Sequence, residues 1–257
     1  MTMQHNAPRT AKTRTVALAR QKKANRIMMT ALSAVVLLTT LFWSQSLWAA
    51  DNKAPINEDP ALQKQAASFI QTLADRALTS LGTAEFSLTD QEVRFREILT
   101  DGFDVNYIGR ISLGRHKKAA SNDQVTAYQN LFPEYLVKVY TSRLTKLDTQ
   151  EVRTGDVLPK GKIDMYVRTK VINADGKSYD VDWRVRPAPN ADNSGAYDFK
   201  IIDVKIEGIS MARTQRDDFT ARITESGMTG LIAFMQAIVD GTATPQTAKV
   251  ESEATTN

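Results

Sequence analysis

In GISMARTQRDDF, Gly208 to Phe219, a serine stands between a run of β-formers (YDFKIIDVKIE, Tyr197 to Glu207) and a helical period. Strand, Gly-x-Ser-x-small, helix is the outline of a nucleophile elbow, where a strained turn presents a serine for acyl transfer. That chemistry needs a base within hydrogen-bond reach, and the elbow architecture places its histidine after the serine in chain order. The chain has two histidines, His5 and His116, both before Ser210, and Ala212 stands where the motif ends in glycine. Ser210 therefore reads as a helix N-cap whose hydroxyl accepts an N–H left unpaired in the first turn.

Other residue types that could do chemistry have equally plain structural readings. Asp180 and Asp182 share one strand face, and paired carboxylates can do acid–base work. The same face bears Arg184 and Arg186, and the neighbouring strand offers Arg168 and Lys170, so cross-strand ion pairs account for the carboxylates. His116, in GRHKKAAS, has cationic neighbours and reads as a surface histidine. Tyr128, Tyr135 and Tyr140 recur along one helix and read as packing residues. GRISLG, Gly109 to Gly114, has the glycine spacing of a phosphate loop, but Arg115 and His116 follow where Lys and Ser/Thr are needed, so it reads as a helix end. Without cysteine the chain has no disulfide or thiolate site, and its histidine content argues against a zinc or haem centre, so no cofactor is expected.

The elements that position these residues begin after a different kind of segment. Met1 to Arg26 carries seven basic residues and no acid; Ile27 to Trp43 is uncharged and mostly apolar; SQSLWAAD brings small residues before Asp51. This is the order of a signal peptide over 1–49, cut after Ala49, with an uncleaved inner-membrane anchor as the alternative. Without it, 26 basic and 29 acidic residues remain, a net charge near −3. The basic balance thus belongs to the leader, and nucleic-acid binding is not expected.

A polar linker over 50–59 precedes a single domain over 60–240. Asp59 and Pro60 open a first helix closed by Gly82; Thr89 with Glu92 forms a capping box for a second; Asp104 caps a short third, loosened by Gly109 and Gly114. Ser121 with Gln124 opens the longest helix, which Pro133 should kink. After Leu147 the period changes to two: Ile163 to Val171, the turn NADG and Tyr179 to Val185 read as antiparallel strands, with Glu151 to Leu158 before and Tyr197 to Glu207 after. In the last of these the apolar set shifts from odd to even between Ile201 and Ile202, which predicts a bulge and a bent sheet. A helix from Met211 to about Ser226 stops at Gly227, and Met228 to Val239 is apolar on nearly every side and expected to be buried. Residues 241–257 read as a disordered tail. The fold class is α+β: a bent antiparallel sheet of about four strands against several helices, enclosing an apolar cavity. Large apolar side chains outnumber candidate catalytic groups, which favours a binder of something apolar over an enzyme.

The runs FDVNYIGRISLGRHKKAASNDQ, YQNLFPEYLVKVYTSRL and DVKIEGISMARTQRDDFTARITESGMTGLIAFM resemble the toluene-tolerance or MlaC family of periplasmic phospholipid-binding proteins. The resemblance covers nearly all of the chain after the leader and is most specific in the order strand, EGIS, helix, G-x-x-GL. It implies a periplasmic carrier, not an enzyme, that encloses phospholipid acyl chains and leaves the headgroup outside. It also implies two partners, an outer-membrane lipoprotein–porin complex and an inner-membrane ABC transporter complex. A hopanoid-associated branch with the same layout, an enzyme on a similar cone-shaped fold and a non-lipid envelope adaptor are the alternatives. The residues expected to line the cavity are Ile108, Leu113, Leu131, Tyr135, Val139, Val167, Trp183, Val185, Ile206, Ile209, Met211, Leu231 and Met235.

Overall fold

A computed structural model describes residues 55–81, 86–144, 149–190 and 197–244, all in one compact unit, Ala54–Asn257. The leader, the start of the linker, Gly82, most of the loop after Pro189 and most of the expected tail lie outside the described residues.

The helices start where side-chain oxygens meet unpaired N–H groups. In α1 (Pro60–Leu81) Asp59 Oδ1 accepts from Ala61 N at 2.9 Å. For α2 (Leu88–Gly102) the cap is Ser87, which accepts from Asp90 N at 3.2 Å. The expected box at Thr89 and Glu92 does not form, because Thr89 and Glu92 are already the second and fifth residues of the helix and Glu92 pairs with Lys138 at 2.7 Å. Asp104 caps α3 (Val105–Leu113), accepting from Tyr107 N at 2.8 Å. Its C-cap, Gly114, has φ 56°, a left-handed conformation that suits glycine, so GRISLG is a helix end. The capping box of α4 (Asn122–Leu144) forms in both directions, Gln124 N to Ser121 Oγ at 3.2 Å and Ser121 N to Gln124 Oε1 at 3.1 Å. This helix continues through Pro133 to Leu144.

Five antiparallel strands follow in sequence order, β1 (Thr149–Lys160), β2 (Asp164–Asn173), β3 (Ser178–Pro189), β4 (Tyr197–Ile206) and β5 (Ile209–Ser210), leaving β1 and β5 as edges of an unclosed sheet. The bulge falls where the parity shift predicts it: Arg184 faces Asp203 and Val185 faces Ile201, so Ile202 is the extra residue. A second irregularity in β1, between Thr154 and Val157, adds to the bend.

The final helix, α5 (Met211–Val239), breaks at Gly227, whose φ of 69° and ψ of −178° are open to glycine alone. Beyond it Met228, Leu231, Met235 and Ile238 are buried, but Ala233 and Gln236 are exposed. The segment is therefore amphipathic, with one buried stripe, and not enclosed on all sides as its composition suggests.

The core is one cluster. The sheet contributes Met165, Val167, Val185, Phe199 and Ile201, and α1, α4 and α5 contribute Leu62, Ile70, Phe132, Val139, Phe219 and Leu231. Between α4 and α5, Tyr128, Phe132 and Phe219 meet ring to ring at centroid distances of 5.5–6.3 Å, and Phe69 of α1 stacks on Phe199 at 5.7 Å. Gly109 permits this approach: a Cβ there would stand 3.0 Å from Phe132 Cδ1. The glycine expected to loosen α3 is instead what lets it pack closely.

Candidate functional site

Ser210 precedes the first residue of α5, with φ −72° and ψ 123°, and its Oγ accepts from Arg213 N at 3.2 Å. The same hydroxyl donates to Asp203 Oδ2 at 2.6 Å. Asp203 Oδ1 accepts from Val204 N at 2.9 Å and Ala212 N at 3.1 Å, so serine and aspartate together satisfy the start of the helix. His116 lies elsewhere, its Nε2 3.1 Å from Thr220 Oγ1. A serine that caps a helix and bonds to a carboxylate engaged with two backbone amides, with no imidazole beside it among the described residues, is a structural corner. The sequence signal for Asp203 is an acid in an apolar strand just before a helix.

The strand carboxylates form the expected cross-strand pairs, Lys170 with Asp180 at 2.9 Å and Arg168 with Asp182 at 3.5 Å, each pair in register. Arg184 and Arg186 take a different partner. Both converge on Asp164, at 2.6 and 2.7 Å, and its side chain is only 6 % exposed. Burial pulls the Asp164 carboxyl upward, but hydrogen bonds from Arg186 and Arg184 outweigh it and hold the group below the usual carboxylate range. Arg186 also stacks over the Tyr107 ring at 4.7 Å. Nearby, Asn57, in a short 3-10 turn where linker was expected, is buried and donates to Asp164 O at 2.7 Å and Gly161 O at 3.1 Å. This anchor ties the residues before α1 to the β1–β2 turn.

The three tyrosines pack. Tyr128 donates to Gly109 O at 2.9 Å, and Gln215 donates to Tyr135 Oη at 3.4 Å. Burial raises the hydroxyl pKa of all three, so each stays neutral at physiological pH. Among the described residues no group of acids and histidines could hold a metal ion, and no helix is long and apolar enough to cross a membrane.

Ten of the thirteen expected lining residues come together. Leu113, Tyr135, Val139, Val167, Val185, Leu231 and Met235 are buried in the core cluster, and Ile108, Leu131 and Trp183 pack against it half-buried. Met211 is half-buried at the start of α5, outside that cluster. Ile206 and Ile209 lie apart, 39 % and 50 % exposed at the β4–β5 hairpin. The facing stripes of α4 and the sheet are thus packed into one interior. A groove of about 650 Å³ opens instead along α1, with Phe69 and Leu73 as its apolar part and Lys64, Gln65, Arg76 and Asp101 among its polar residues. The periodicity of α1 marks only part of that groove: Leu73 belongs to the buried stripe, whereas Lys64, Gln65, Ser68 and Arg76 lie beside it and Asp101 comes from α2.

Two comparisons with known proteins agree with this architecture. The family model for the MlaC protein matches residues 71–237, more than half of the chain. The solved structure of the phospholipid-binding protein from Ralstonia solanacearum, in complex with a phospholipid, superimposes with a TM-score of 0.58. The two chains are 23 % identical, and the match covers 70 % of this chain and 99 % of that one.

Proposed function

We propose, since the chain belongs to the MlaC protein family, that it binds a phospholipid by its acyl chains and carries it through the periplasm between outer and inner membranes. An outer-membrane lipoprotein–porin complex and an inner-membrane ABC transporter complex are the proposed donor and acceptor partners. The observation that carries this reading is the match to nearly the whole of a chain solved with a phospholipid. Its physical basis is the make-up of the interior. Met165, Met228 and Met235 are all buried in the core cluster, and unbranched thioether side chains repack around varied apolar partners more readily than branched ones. Leu131, Ile108 and Trp183 border that interior half-buried, so a chain entering between α4 and the sheet displaces side chains at the margin first. Each CH₂ buried there contributes about 0.8 kcal/mol, so a single acyl chain supplies ample binding energy.

The test is native mass spectrometry of protein isolated from the periplasm, followed by lipid extraction. The expected result is one phospholipid per chain. Protein recovered from the cytoplasm, or exported protein that carries no phospholipid and takes none up from vesicles, would refute the reading.

A further inference from the structure

We infer that the β4–β5 hairpin and the basic turn after α3 form one docking surface for an anionic phospholipid bilayer. The hairpin turn is Ile206-Glu207-Gly208-Ile209, with φ of 51° at Glu207 and 80° at Gly208. Two successive positive φ angles make a two-residue hairpin turn that normally calls for Asn-Gly. Glu207 holds the conformation at a cost, and its side chain explains how: Glu207 Oε1 accepts from Asp180 N at 2.6 Å while Glu207 N donates to Asp180 O at 2.9 Å. The turn is thereby locked to β3. It displays Ile206 and Ile209, direct partners across the strands, 39 % and 50 % exposed. A rigid pair of exposed isoleucines has the form of a wedge for an apolar medium.

Beside the wedge stands a concentration of positive charge. The stretch from Val105 to Ala120 contains Arg110, Arg115, Lys117 and Lys118 and no acid, although the chain after the leader is acidic overall. The last three lie in the exposed 3-10 turn Gly114–Lys118, and among the described residues none of them pairs with a carboxylate. That turn is joined to the hairpin through α5. Arg216 lies against Gly114, and Thr220 meets His116 at 3.1 Å. From Met211, two residues after Ile209, to Thr220 the helix rises about 14 Å, so wedge and basic turn are within reach of one flat surface. Exposed Arg213 and Arg216 lie between them, sharing Asp217 at 4.0 and 3.7 Å. Glu207 is turned back onto the strand, and Arg115, Lys117, Lys118, Arg213 and Arg216 outnumber the acids near them, Asp180, Glu207 and Asp217. Apolar residues flanked by Lys and Arg are how peripheral proteins bind anionic bilayers: the basic groups bring them to the surface and the apolar ones enter it.

The experiment is flotation of the purified protein with vesicles of phosphatidylethanolamine and phosphatidylglycerol against vesicles of phosphatidylcholine alone. Expected is binding to the anionic vesicles, weakened when salt is raised from about 0.1 to about 0.5 M, where screening shortens to a few ångströms. Each basic residue near an anionic surface changes affinity roughly five-fold, so Lys117→Ser with Lys118→Ser should weaken binding about twenty-five-fold. Ile206→Ser with Ile209→Ser should also weaken it, with circular dichroism checking that both variants fold. No binding to anionic vesicles, equal binding to both kinds, or unchanged binding by the folded lysine variant would overturn the assignment, and the first of these would point to a protein partner. Co-purifying lipid is a separate readout, so loss of docking and loss of lipid binding are distinguishable.

Discussion

Replacing Asp164 with asparagine keeps the volume and removes the charge on which two guanidinium groups converge. The site accepts four short hydrogen bonds, from Arg184 at 3.0 and 2.6 Å and from Arg186 at 2.7 and 3.1 Å. Taking one partner from a buried ion pair costs about 3–5 kcal/mol, because the remaining charge is left uncompensated. The arginine side chains are 29 % and 36 % exposed, so water takes up part of that charge. The expected loss therefore lies near the lower bound, about 3 kcal/mol, or roughly 6–12 °C in Tm for a domain of this size. The pH dependence follows from the lowered carboxyl pKa. The folded state binds its proton less readily than the unfolded state, so the pair's contribution is present above the ordinary carboxylate pKa of about 3.9. It is lost as pH falls through the lower folded value. Urea denaturation of wild type and Asp164→Asn from pH 7 down to pH 2.5 should give two curves that draw together toward the acid end. A loss below about 1 kcal/mol at pH 7, or a gap that does not narrow as the pH falls, would refute the reasoning, the first by making this an ordinary surface pair.

Ser210→Ala should cost about 1–2 kcal/mol in urea denaturation, since it removes a cap and also the donor to Asp203 Oδ2, while leaving bound phospholipid per chain unchanged. Labelling of Ser210 by a fluorophosphonate would contradict the cap assignment. Gly109→Ala gains up to about 1 kcal/mol of helix propensity but drives a methyl group to 3.0 Å from a ring held by Tyr128 and Phe219, at about 1–3 kcal/mol; a net loss of about 1 kcal/mol is expected, and net stabilisation would mean that the ring yields. Leu131→Trp, at a half-buried margin, should lower co-purifying phospholipid with little change in melting temperature. Val139→Trp, at a site 2 % exposed, should destabilise by about 1–3 kcal/mol. Equal lipid occupancy in wild type and Leu131→Trp would move the acyl chain away from α4.

Much of this architecture is legible from local rules. The caps at Asp59, Asp104, Ser121 and Ser210, and the bulge at Ile202, depend on residues a few positions apart, so the sequence carries them directly. What escapes is contact set by register or by a distant element. Asp164 meets arginines twenty residues away, and from the sequence Asp180 and Asp182 stand on the same strand as candidate partners; only the pairing of Met165 with Val185 brings Asp164 to them. The box at Thr89 and Glu92 is chemically as good as the one that forms, but Lys138, on another helix, holds Glu92. Ile206 and Ile209 show the limit most clearly. Alternation puts Ile206 on the same face as Ile202 and Val204. It says nothing of how far the helices cover that face, and β4 runs beyond them into the hairpin. A periodic pattern therefore identifies which residues can line an interior, whereas the length of the covering element decides which of them do. At the end of β4 the difference turns two expected lining residues into an exposed pair.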